Sequence, residues 1–142
     1  ELIRTLAEDV LAKEVLTLHC PLDYEKHAVK PKEGLGALDI LALEIKQEVL
    51  ERLDVQSLLT FRRVNQEAMD VVNGMVTWKK VLDNAPDTIR MAIGAKVAHR
   101  FTLCQLLDKI CQKHCDTCGH LAPYINVYTV TRLCRDLALC PG

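Results

Sequence analysis

The chain has 142 residues, 49% of them from the AVILMFWYC set, which is enough for one domain with its own core and too apolar for disorder throughout. Only 4% is aromatic, so an aliphatic core is expected, and 18 basic against 19 acidic residues leave a net charge of −1, which removes any bulk electrostatic case for nucleic acid or membrane binding. Seven cysteines, six of them after residue 100, form an odd and lopsided set that argues for reduced thiols over a secreted disulfide framework.

The start, Glu1-Leu2-Ile3-Arg4, intersperses apolar residues with charges and does not read as a signal peptide. With no Met at its head, the chain reads as a fragment. No stretch approaches the ~20 continuous apolar residues that span a bilayer. Residues 2–18 predict an amphipathic helix, because Leu2, Ile3, Leu6, Val10, Leu11, Val15 and Leu18 recur at three- and four-residue spacing. Such a helix packs on its own domain or on a partner. Pro21, Pro31, Gly34 and Gly36 then punctuate a polar linker from Cys20 to Gly36.

From Leu38 the pattern is helical again, in short pieces. Ile45, Val49, Leu50 and Leu53 make one apolar stripe, and Asp54 to Ser57 is a break rich in capping residues. Leu58, Leu59, Phe61 and Val64 follow. Asn65 is placed to cap a helix that Gly74 would end in a left-handed conformation. Thr77 is expected to open the next helix and Pro86 to stop it. Asp87 is expected to cap a helix running to about Arg100, and Thr102 to cap one more. Tyr124 to Thr131 alone reads as strand, from its alternation and its β-branched residues. The expected class is all-α, with a small cysteine-rich end.

Cys115-Asp116-Thr117-Cys118-Gly119 carries the clearest chemistry. Two thiolates three positions apart on a tight turn can grip one zinc ion, and glycine permits the positive φ such a turn needs. A second pair must come from elsewhere, and Cys134 and Cys140 are the natural candidates. Six positions along a continuous helix would turn those two to different sides, so they share a metal only if the helix ends between them. His120, His114 and Cys111 are alternative ligands. Thioredoxin-like chemistry lacks its βαβ setting, and buried or idle thiols are the plainer alternative. Cys104 and Cys111 read as small core hydrophobes. Arg62-Arg63 and Lys79-Lys80 read as solvated faces, and His99 as an exposed polar position.

The run from Leu38 to Leu82 resembles an F-box. Leu41-Ala42-Leu43-Glu44-Ile45 stands where that family has Leu-Pro-x-Glu and an aliphatic residue. Val49, Leu50 and Leu53 follow at the expected spacing, and Leu58-Leu59 and Arg62-Arg63-Val64-Asn65 complete the pattern. Ala42 departs from the usual proline, which would preorganise the start of the helix. Asn84-Ala85-Pro86-Asp87, Phe101-Thr102-Leu103 and the Cys-x-x-Cys-Gly extend the likeness to fungal F-box proteins with a cysteine knuckle after the F-box.

Periodicity and punctuation give an N-terminal helix and linker over 1–36, which resemble no family, while the resemblance implies an F-box over 37–84 and helices with a knuckle over 85–142. It implies a bundle of short helices, with one or two short strands in the zinc-knuckle-like segment. It also implies a non-enzymatic substrate receptor that binds a Skp-type adaptor, and through it a cullin, in an SCF-type (Skp–cullin–F-box) ubiquitin ligase of the cytoplasm or nucleus. Leu41, Ala42, Glu44, Ile45, Val49, Leu50, Leu53, Leu58, Leu59 and Val64 would form the adaptor side, and Cys115, Cys118, Cys134 and Cys140 would hold a structural zinc. A small zinc-binding nucleic-acid or protein interaction module unconnected to ubiquitin is the alternative. A metal- or thiol-dependent enzyme would need a base and an open metal position, and neither is assignable.

Overall fold

The computed structural model describes residues 34–134 and 140. The expected N-terminal helix and most of the linker lie outside them. A 3₁₀ turn, Gly36–Ile40, leads into six helices. These are α1 (Leu43–Glu51), α2 (Val55–Arg62), α3 (Gln66–Gly74), α4 (Val76–Asn84), α5 (Pro86–Gly94) and α6 (Leu103–Cys111). A hairpin of β1 (Tyr124–Asn126) and β2 (Thr131–Leu133) follows. Among the described residues, no helix is long and apolar enough to cross a membrane.

Capping residues set many of these boundaries. The Asp54 carboxylate accepts from the Ser57 N–H at 2.9 Å and the Asn65 side chain from the Ala68 N–H at 2.8 Å. Thr102 and Gln105 form a reciprocal capping box on α6. Each satisfies N–H groups that a helix start leaves without an intrahelical partner.

Four expected boundaries move. Gly74 does not adopt a positive φ; it is the last residue of α3, where a Cβ would lie 3.1 Å from the Gln47 Nε2 of α1. α4 begins at Val76 with Met75 as its N-cap, and Thr77 is buried, donating to the Glu51 Oε1 at 2.8 Å. α5 opens with Pro86 as its first residue and stops at Gly94. Lys96 takes φ 58 beyond its end, its N–H donates to the Ile93 carbonyl, and the Val97 N–H donates to the Ala92 carbonyl. This is a Schellman ending, with Val97 and Ala92 both buried beneath it.

The expected strand folds into a hairpin. Tyr124 pairs with Leu133 and Asn126 with Thr131. The Asn126 Oδ1 accepts from the Tyr128 N–H at 2.9 Å, and Val130 takes φ 52. Both features turn the chain.

One core runs through the molecule, from Leu50, Val55 and Leu58 in α1 and α2 to Leu103, Leu106 and Val127. It crosses the expected division at residue 84. Arg62, expected on a solvated face, is buried. Its guanidinium lies 5.4 Å from the ring centre of Trp78, and its Nε donates to the Asn73 Oδ1 at 2.9 Å. The long stem and the ring face make burial of this cation tolerable. Cys104 is half-buried, but Cys111, expected in the core, is exposed at the end of α6.

Candidate metal centre and exposed apolar face

The chain beyond α6 makes a small turned knuckle. The Ala122 N–H donates to the Lys113 carbonyl at 2.9 Å and the Cys115 N–H to the His120 carbonyl at 2.8 Å. These bonds close a short antiparallel loop around Cys115–Gly119. The Gly119 N–H donates to the Cys115 carbonyl at 3.2 Å, and Gly119 takes φ 74. No neighbour crowds its Cβ position, so the backbone conformation alone explains glycine there.

The hairpin brings Cys134 to this loop. Cys134 follows β2, and its sulfur lies 3.5 Å from that of Cys118. The Cys140 sulfur lies 3.6 Å from that of Cys115. All four sulfurs fall within 4.8 Å of one another, and all four cysteines are free thiols. Four thiolates at the usual Zn–S length of about 2.3 Å sit about 3.8 Å apart in a regular tetrahedron. The cluster fits a metal ion of that kind. His114, His120 and Cys111, the alternative ligands, are exposed and outside it.

The electrostatics suit cation binding. The N–H groups of Cys118 and Thr117 point at the Cys115 sulfur and bring its pKa down to about 6. Burial, then the neighbouring thiols, push Cys140 up to about 12. The first thiolate is easily formed and the last is costly beside other sulfurs. A bound cation replaces those protons and relieves the crowding of negative charge.

Asp116 was not singled out by the spacing. Its Oδ1 accepts from the Lys109 Nζ at 2.6 Å and from the Gln112 Nε2 at 2.8 Å. Its Oδ2 accepts from the Arg132 N–H at 2.6 Å. These bonds, Lys109 first, hold its carboxyl down at about 2. The only signal in the sequence is its place inside the Cys-x-x-Cys.

The residues expected on the adaptor side divide. Ile45 and Val49, one turn apart on α1, are 46% and 45% exposed, and Val64 is 51% exposed. Ala42 and Glu44 are exposed too, and Leu41, Leu53 and Leu59 are half-buried. Leu50 and Leu58, expected on the same side, are 4% and 0% exposed and belong to the core. Leu43 and Ile40 are exposed at 52% and 89%.

The short helices from the 3₁₀ turn to α4 coincide with a family match. No curated protein and no solved structure matches the chain. The F-box domain family matches residues 38–80, and this chain carries an F-box domain there.

Proposed function

We propose that this chain docks a Skp-type adaptor through its F-box and acts as the substrate-receptor subunit of an SCF-type ubiquitin ligase. The F-box match at residues 38–80 carries the reading. An F-box is a protein-interaction module, and the reading needs no catalytic residue. The exposed aliphatic residues Leu43, Ile45, Val49 and Val64 supply apolar anchors for a partner's groove. Each such side chain, once fully buried, contributes roughly 1.5–3 kcal/mol. Leu41, Leu53 and Leu59 extend this surface from half-buried positions. Leu50 and Leu58 support it from beneath.

The four-cysteine cluster takes a structural zinc ion in this reading. Its closed set of four sulfur ligands leaves no position for substrate, which is the pattern of structural sites. A reduced four-thiolate site suits the cytoplasm or nucleus, where an adaptor and its cullin are met.

Co-purification with a Skp-type adaptor tests the main reading. The parent chain is expected to bind, and Ile45→Asp with Val49→Asp to fold but not bind. A parent chain that fails to bind, or a folded double variant that binds as well as the parent, overturns it.

A further inference from the structure

The two thiol pairs come from different stretches of chain, and a protein-only link registers them. The Asp116 N–H donates to the Arg132 carbonyl at 3.1 Å, while the Asp116 Oδ2 accepts from the Arg132 N–H at 2.6 Å. Asp116 therefore pairs with the outer edge of β2 as a neighbouring strand would, with its carboxylate in place of a carbonyl. Cys115 stands immediately before Asp116, and Cys134 stands two residues after Arg132. The same carboxylate takes Lys109 of α6, at 2.6 Å, and Gln112. Arg132 adds a further link, its Nε donating to the Ala122 carbonyl at 2.7 Å on the far arm of the knuckle.

We propose that Asp116 is the positioning residue of the thiolate site: it sets the Cys115–Cys118 loop against the Cys134 strand before a metal arrives. The inference rests on the reading of the cluster as a metal site. Charge-assisted bonds from Lys109 make the anchor strong, because an ionised acceptor roughly doubles a hydrogen bond. Without the carboxylate, the loop and the strand keep only the Asp116 N–H to Arg132 carbonyl bond and the Arg132–Ala122 link, and the metal must supply more of the ordering from its own binding energy. Loss of a partner of this kind lowers metal affinity about 10- to 100-fold.

Zinc titration of the full reduced chain against a chromophoric chelator tests this, together with absorption of the cobalt(II) form. The parent is expected to bind one zinc per chain. Asp116→Ala is expected to lose about 10- to 100-fold in affinity. Its cobalt form should show weaker sulfur-to-metal charge transfer, as one thiolate drops out of the ligand set. Asp116→Asn keeps an acceptor for the Arg132 N–H and is expected to lie between the two. Should the alanine variant fail to fold, the asparagine variant alone decides. A parent that takes up no stoichiometric zinc sinks the metal reading itself. A parent that binds zinc, with folded variants equal to it in affinity and cobalt spectrum, overturns the role of Asp116 alone.

Discussion

The backbone N–H of Val55 donates to the carbonyl of Phe101 at 3.0 Å. Beside it, the Gln56 N–H donates to the Ala98 carbonyl at 3.1 Å, and Asp54 bridges to Thr102. The first turn of an F-box helix is thus completed by a loop that lies beyond residues 38–80. Helix starts leave their N–H groups without intrahelical partners, and here a distant segment supplies two of the acceptors.

Phe101→Ala should therefore weaken the F-box although it lies outside it. The side chain is 3% exposed within the shared core. A loss of about 3–5 kcal/mol is expected. Urea unfolding followed by the fluorescence of Trp78, the single tryptophan, measures it. Two separated transitions in the parent chain would show that the F-box folds independently of this loop.

Leu58 and Val49 should respond in opposite ways. Leu58→Ala removes a fully buried side chain and is expected to cost about 2–5 kcal/mol of stability. Val49→Ala, at a half-exposed surface position, is expected to stay within about 0.5 kcal/mol. Adaptor affinity measured on the folded proteins should fall for Val49→Ala and hold for Leu58→Ala.

Ala42→Pro should stabilise the chain. Ala42 already has φ −60 and ψ 152, and Leu41 before it has φ −82 and ψ 142. Proline demands the first of these conformations and favours the second in its predecessor. No bond from the Ala42 N–H is present among the described residues. The gain is expected to be about 0.4–1 kcal/mol, from a less free unfolded chain, and thermal unfolding reads it.

Acid should loosen the knuckle. Asp116 has its pKa lowered from 3.8 to about 2, chiefly by the Lys109 bond. Asp54 is lowered as well, burial opposing the shift and the Ser57 hydroxyl and N–H outweighing it. A carboxylate with a depressed folded pKa stabilises above its unfolded value and loses that contribution as pH falls through the folded one. The contribution of Asp116 should be complete above about pH 4 and gone below about pH 2. Hydrogen exchange or NMR of residues 113–133 across that window measures it, and Asp116→Asn should flatten the dependence.

Much of this molecule was legible in its sequence where the physics is local. Asn65 and Thr102 cap helices through bonds that span three residues. Cys115, Cys118 and Gly119 shape one turn whose spacing and positive φ are written in the chain itself. The apolar spacing of α1 and α2 likewise announced short amphipathic helices. Periodicity names a stripe, however, and not what covers it. Only packing decided that Leu50 and Leu58 face inward while Ile45 and Val49 face out. Tertiary contacts likewise drew Arg62 over Trp78, ended α5 at a left-handed Lys96, and placed Cys140 beside Cys115. Burial and pairing between residues far apart in the chain are properties of three-dimensional neighbours, so no single stretch of sequence carries them.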